Sequence, residues 1–322
     1  MTELFKVNFI YKCKVQSHSH HIRTLKTYSY DNRKSAVLCL LKLTSSPEIA
    51  STSFEPVILI HSLPSLSITH TLYGQRYGTF SLLETTQNTH PYLYSGSFKD
   101  IFIFSLLSHE KVGTIQNAHD DWVMSLAFNE SSQALISCSN DAKIKIWSNT
   151  LTASPILTHT LASHINAVNC LLLAQPQNKL ISGSSDRTIR VYDAAKEYLL
   201  INKVTNKVSW NNSIIQYKTN YIIVNSWGGE ISIYEIATLE LLRRFDIANG
   251  PINCIYQLSP DAIVLGLKFN SSALIVDIES GLIINKIKID ADGNSYETKS
   301  LTVVANRLLI GGSNTKLYSL EI

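Results

Sequence analysis

The chain has 322 residues, with 28 Lys and Arg against 25 Asp and Glu, a formal charge of +3, and 45 % apolar against 16 % charged residues. This near-neutral balance excludes a polybasic nucleic-acid binder, while leaving room for a local basic patch, and the apolar content excludes a disordered chain. The mixture is rich in Ile, Leu, Ser, Asn and Thr, with 15 Tyr, and favours strands and polar turns over helices.

In chain order, the N-terminal MTELFKVNFIYKCKV lacks an apolar stretch ending in a small-residue cleavage site, so no signal peptide is expected. It reads instead as a strand over Leu4 to Lys14. His18, His20 and His21 follow as HSHH, without further ligands at zinc spacing, so a loop is expected and no metal. AVLCLLKLT from Ala36, a polar loop at Ser45 to Pro56 and VILIHS from Val57 form a stretched hairpin. The charge-free run Val57 to Gln75 is long enough for a membrane span, but His61, Pro64 and His70 break it into two strands and a turn.

Further hairpins follow, each made of two period-2 apolar stretches around Gly, Ser, Asn or Asp. They are YLYSGSFKDIFIFS from Tyr92, YIIVNSWGGEISIYEI from Tyr221, AIVLGLKFNSSALIVDI from Ala262 and RLLIGGSNTKLYSLEI from Arg307. Glycines in SGS, SGSS and GGS have no phosphate-loop or dinucleotide spacing. The five cysteines, Cys13, Cys39, Cys138, Cys170 and Cys254, are odd in number and form no CxxC pair. Free buried thiols in a reducing compartment are expected.

Two segments between these hairpins repeat one another. AHDDWVMSLAFNESSQALISCSNDAKIKIWS spans Ala118 to Ser148, and SHINAVNCLLLAQPQNKLISGSSDRTIRVYD spans Ser163 to Asp193. His119 precedes Asp141 by 22 residues, as His164 precedes Asp186, with Ser137 or Ser182 four residues before the Asp and Trp147 or Tyr192 six after it. These marks resemble the WD-repeat family, whose units of about 40–45 residues fold as four-stranded propeller blades. Tyr192-Asp193 stands where the family has Trp-Asp, and Trp147-Ser148 is its counterpart in the other copy.

The resemblance implies an all-β, seven-bladed β-propeller filling residues 1–322 as a single domain. Its hairpins would start near Ala36, Tyr92, Leu135, Leu180, Tyr221, Ala262 and Leu308, and the N-terminal strand would complete the last blade and close the ring. The Ser-His-Asp sets mimic a hydrolase triad, but recurrence at one spacing suits a structural device. We expect His119, Ser137, Asp141 and Trp147, and likewise His164, Ser182, Asp186 and Tyr192, to form hydrogen-bonded chains that hold each blade to its own loop.

Trp122 precedes an inner strand, Trp210 does the same, and Trp227 sits in the hairpin turn SWGGE. Such positions share one rim of a propeller, the common docking face in WD-repeat proteins. His21, Arg23, Tyr77, Phe80, Phe98, Lys99, Met124, Asn140, Asn169, Ser185, Lys268, Phe269 and Asn314 align with the same rim. Aromatic and cationic side chains there have the composition of interface anchors. The expected function is a non-catalytic scaffold or adaptor within an intracellular multi-subunit complex. It would have protein partners, no cofactor, metal, membrane or small-molecule substrate, and a cytoplasmic location, with the nucleus as alternative. The competing readings are an RNA-contacting ribonucleoprotein subunit, through Lys143, Lys145, Arg187, Arg190, Arg243, Arg244, Lys286 and Lys288, and, less favoured, an enzyme.

Overall fold

The computed structural model describes residues 25–29, 36–152, 154–206, 209–248, 250–268, 272–289, 297–304, 307–313 and 316–321. These residues form seven four-stranded antiparallel sheets, the blades. Strand β1 (Leu25–Ser29) lies outermost in blade 7, described last. Blade 1 holds β2 (Cys39–Lys42), β3 (Glu48–Thr52), β4 (Ile58–Ser62) and β5 (Ile68–Leu72). Blade 2 holds β6 (Ser81–Gln87), β7 (His90–Gly96), β8 (Ile101–Ser105) and β9 (Lys111–Ile115). Blade 3 holds β10 (Val123–Asn129), β11 (Ala134–Ser139), β12 (Ile144–Ser148) and β13 (Ile156–Leu161). Blade 4 holds β14 (Val168–Ala174), β15 (Lys179–Ser184), β16 (Thr188–Asp193) and β17 (Leu199–Thr205). Blade 5 holds β18 (Asn211–Tyr217), β19 (Tyr221–Ser226), β20 (Glu230–Glu235) and β21 (Leu241–Asp246). Blade 6 holds β22 (Ile252–Ser259), β23 (Ala262–Leu267), β24 (Ser272–Asp277) and β25 (Ile283–Lys288). Blade 7 runs β26 (Thr298–Val304), β27 (Arg307–Gly312) and β28 (Lys316–Glu321), with β1 paired to β28.

The core lies between blades rather than at one centre. Ala127, Ile136 and Ile146 of blade 3 pack on Leu171, Leu180 and Tyr192 of blade 4. Equivalent apolar layers fill each junction up to blades 6 and 7. The last layer joins Leu309 and Leu317 of blade 7 to Ile49 and Leu59 of blade 1. Val37 N–H donates to the Gly312 carbonyl, 2.9 Å away, across that junction. Each sheet is therefore covered on both faces, which is why β11, ALISCS, is buried at every position instead of alternating.

The first blade departs from the sequence expectation. The segment from Ala36 supplies the innermost strand β2 rather than the second one, and Ser45 to Pro56 is no inserted loop, because it contains β3. Its polar residues misled: Ser51 and Thr52 of β3 are fully buried, and their hydroxyls are bonded within the fold. Ser51 Oγ lies 2.7 Å from His61 Nε2, and Thr52 Oγ1 donates to the Thr79 carbonyl at 2.9 Å. The expected strand at Leu4 to Lys14 and the HSHH segment lie outside the described residues, and the strand beside β28 is Leu25–Ser29.

Candidate functional site: the aromatic rim

The repeated Ser-His-Asp sets come first, because they hold the loops that form the rim. In blade 3, His119 Nδ1–H donates to Asp141 Oδ2 at 2.9 Å, so in the neutral ring Nε2 accepts from the Ser137 hydroxyl at 2.8 Å. Trp147 Nε1–H donates to the same hydroxyl at 3.0 Å. Burial pushes the Asp141 carboxyl up, but the hydrogen bonds from His119 and from the Asp120 and Lys143 amides outweigh it and hold the group well below the usual carboxylate range.

Blade 4 repeats the first links, His164 to Asp186 at 2.8 Å and His164 to Ser182 at 2.7 Å. Burial lowers His164 despite the carboxylate beside it, keeping the ring neutral. Against its own burial, Asp186 is held down at about 2 by Thr188 and His164. The last expected link is missing: the Tyr192 hydroxyl is buried with no hydrogen-bond partner among the described residues, although Ser163 and Ser182 lie close. A phenol hydroxyl projects from the far end of its ring, whereas the indole N–H sits at the side where Ser137 can meet it.

The register exposes the same positions in the degenerate blades. His61 stands opposite Ile49 as Trp147 stands opposite Leu135, so His61 and Ser51 take the places of Trp147 and Ser137. His61 Nδ1–H faces the Leu66 carbonyl at 3.2 Å, and burial lowers the pKa of its ring. In blades 5, 6 and 7 the serine position holds the buried Val224, Leu265 and Ile310. Replacing a bonded polar pair by apolar groups of fitting shape is nearly neutral, so the fold survives where the sequence marks are gone.

The rim lies where the second strand of each blade turns into the third, beside the segment entering the first. Backbone bonds join these two points at 2.8–3.1 Å: Asn140 to Trp122, Ser185 to Ala167, Trp227 to Trp210 and Lys268 to Pro251, each N–H to carbonyl. Trp122 and Phe98 form an isolated bridge, and their rings lie 5.2 Å apart. Phe80 meets Trp122 at 4.9 Å, Tyr77 meets Phe98 at 5.3 Å, and Phe54 meets Phe80 at 5.7 Å. Five rings from blades 1 to 3 and their connecting loops thus form one arc, with Phe54 55 % and Tyr77 49 % exposed at its surface. Lys99 stands 5.4 Å from the Phe98 ring.

A second aromatic group sits on blade 5. Trp210 and Trp227 are 5.6 Å apart, and Lys268 of blade 6 lies 4.1 Å above Trp227. Gly229 makes this turn feasible: its φ is +88°, and a Cβ there would come within 1.9 Å of the Ala248 carbonyl oxygen.

Other expected rim residues serve the ring itself. Met124 is half-buried against the layer between blades 3 and 4. Asn169 donates to the Asn211 carbonyl of blade 5 at 2.8 Å. Asn212 reaches the Ile252 carbonyl at 2.9 Å, and Asn253 reaches the Thr298 carbonyl at 2.9 Å. These three asparagines occupy the same β-bulge in successive inner strands and clasp each blade to the next. The sequence reading did not find this clasp, although VNC, NNS and INC carry it in phase. Asn140 and Ser185 lie half-buried in the turns. His21, Arg23, Phe269 and Asn314 lie outside the described residues.

Many of the basic residues are engaged. Arg190 is buried beside Asp186 rather than solvated, Lys143 pairs with Asp120, Arg243 with Glu279 and Arg244 with Glu230, and Lys145 donates to the Ala118 carbonyl. Among the described residues no helix is long and apolar enough to cross a membrane.

Residues 110–148 and 156–193, the two blades with the complete spacing, match the family model "WD domain, G-beta repeat". These two blades belong to the WD40 repeat family. The fold of this WD-repeat protein is similar to the WD40 β-propeller domain of Doa1, with a TM-score of 0.75 over 91 % of this chain and 95 % of that one, at 19 % identity. It is similar to the WD repeat domain-containing protein 83 homolog of Dictyostelium discoideum, at 23 % identity over 74 % of this chain and 80 % of the relative. It is also similar to the COMPASS component SWD3 of Saccharomyces cerevisiae, at 30 % identity over 40 % of this chain, and to pre-mRNA-processing factor 19 of Bos taurus, at 25 % identity over 55 %. The matches span 43 % and 35 % of those two proteins.

Proposed function

We propose that this propeller is a non-catalytic scaffold that docks other proteins within an intracellular, cytoplasmic complex, gripping a loop or extended peptide with its aromatic rim. The observation that carries the reading is the arc of Phe54, Tyr77, Phe80, Phe98 and Trp122, five rings in contact and in part exposed. Rings held by neighbouring rings lose little entropy on binding and expose large apolar area, the properties of interface hot spots. Two relatives are by name subunits or associates of other proteins: the COMPASS component SWD3, and a DDB1- and CUL4-associated factor 11 homolog of Caenorhabditis briggsae, 31 % identical over 30 % of this chain. The Ser-His-Asp sets are structural in this reading, because each carboxylate and serine is consumed within its own blade.

The same proposal treats the chain as one domain whose ring is completed by the strand entering from the N-terminal side; the pairing of Leu25–Ser29 with β28 supports it. An RNA-contacting role is weaker, since Lys143, Arg190, Arg243 and Arg244 already face carboxylates. Affinity purification of the wild type, Trp122→Ala and Trp227→Ala, each checked for an unchanged circular-dichroism spectrum, tests the proposal. Loss of a defined partner set from folded variants is expected; retention of every partner overturns the rim reading.

A further inference from the structure

An open cavity of about 160 Å³ lies beside the aromatic arc, between the loop joining blades 1 and 2 and the outer half of blade 2. Gly74 and Arg76 of the loop line it with Asp100 and Phe102 at the start of β8 and Lys111 and Thr114 of β9. Arg76 directly precedes Tyr77, and Asp100 follows Phe98 by two residues. Cavity and arc therefore share two loops, and the Tyr77 and Phe98 rings join those loops at 5.3 Å.

The cavity holds two cations that no carboxylate of the fold has claimed. Lys111 Nζ is fixed at the wall: it donates to the Gly74 carbonyl at 3.2 Å and stands 5.6 Å from the centre of the buried Phe102 ring. An ammonium has three N–H groups, so two remain for a ligand. Arg76 is exposed, and neither cation makes an ion pair among the described residues. Asp100 is the one carboxylate in the lining, and its Oδ1 accepts the Asn117 N–H at 2.9 Å. Lys99 and Glu110, the charged neighbours in sequence, have opposite signs and do not line the cavity.

Size and donor set select the occupant. Sites for whole small molecules usually enclose about 300–1,000 Å³, so this cavity takes one group projecting from a larger molecule. Thr114 and Gln116 add uncharged donors to the guanidinium and the ammonium. That set exceeds what the two oxygens of a carboxylate use, and it suits the three terminal oxygens of a phosphoryl group.

We propose that this cavity is a phosphate subsite: a peptide lying on the aromatic arc places the phosphoryl group of a phosphorylated side chain between Arg76 and Lys111. The peptide rests on the docking role proposed above, whereas the phosphoryl recognition rests on the cavity alone. Asp100 weakens the subsite by repelling the dianion, which makes occupancy depend on the contacts that the rim adds.

The probe is N-acetyl-O-phosphoserine amide, titrated into the full chain at constant ionic strength and followed by phosphorus NMR. N-acetylserine amide and N-acetylglutamate amide, each competed against it, and vesicles containing phosphatidic acid are the controls. Saturable binding of the phosphorylated probe is expected. Arg76→Gln and Lys111→Gln should each weaken it about tenfold, with unchanged thermal unfolding. Asp100→Asn keeps an acceptor for the Asn117 N–H while removing the charge, so it should tighten binding about threefold or more, a gain that misfolding does not produce. Trp122→Ala should leave the probe's affinity unchanged. Partner loss in Trp122→Ala without any probe binding would sink the subsite and leave the rim reading standing; probe binding with every partner retained in Trp122→Ala would do the reverse. Equal competition by the glutamate compound, no effect of Arg76→Gln and Lys111→Gln, weaker binding in Asp100→Asn, or binding to the vesicles in place of the probe would each overturn the proposal.

Discussion

Removing the Ser137 hydroxyl should cost far more than the small size of the change implies. That hydroxyl is fully buried, donates to His119 Nε2 at 2.8 Å and accepts from Trp147 Nε1–H at 3.0 Å. Ser137→Ala therefore strands one acceptor and one donor in a water-free layer, at about 1–3 kcal/mol each, or about 2–6 kcal/mol together. Ser182→Ala strands only His164 Nε2, because Tyr192 makes no bond to that serine. Its cost should be about 1–3 kcal/mol. Trp147→Phe removes the stranded donor, so it should cost less in the Ser137→Ala background than alone. Urea unfolding followed by circular dichroism, at matched slopes, measures the four variants and their coupling. Equal costs for Ser137→Ala and Ser182→Ala, or additivity of Ser137→Ala with Trp147→Phe, would refute the hydrogen-bond reasoning.

Further outcomes follow from burial and charge. Burial lowers His61 and His164, so the unfolded chain takes up protons more readily than the native one below the ordinary 6.5, and the melting temperature should begin to fall there. Asp141 and Asp186, held below 3.8, add stability at neutral pH that is lost as pH falls further, so a second decline should begin below about 4 in a pH series of thermal melts. Burial pushes Cys138 well above its ordinary value and Cys170 up to about 12, so iodoacetamide at pH 8 should leave these two unmodified in the native chain and label them in urea, as read by peptide mass spectrometry. Asn212→Ala should cost about 1 kcal/mol, the net worth of its bond to the Ile252 carbonyl, and hydrogen exchange should quicken at the junction of blades 5 and 6.

What the chain reveals as text depends on whether a signal is local. His119, Ser137, Asp141 and Trp147 lie within one blade at fixed spacing, so the repeat and the bonded chain were readable together. Hairpins in blades 2 to 7 were visible from strand alternation around turn residues. Blade 1 was misread because Ser51 and Thr52 resemble a loop by composition, and only their buried partners show them to be strand. The aromatic arc was legible as separate rim positions but not as a cluster, and Phe54 was missed, because ring contacts such as Phe54 with Phe80 join different blades. Tyr192 failed as the last link for a geometric reason, the reach of its hydroxyl, that residue type alone does not express.

The docking role of the rim is tested most directly by hydroxyl-radical footprinting of the free chain and of the chain within its purified assembly. The account predicts that Tyr77, Trp122, Trp210 and Trp227 lose reactivity in the assembly while exposed side chains at the opposite end of the blades, such as Leu107 in the β8–β9 turn, do not. Unchanged reactivity at all four rim residues, in an assembly that demonstrably contains the chain, would contradict it.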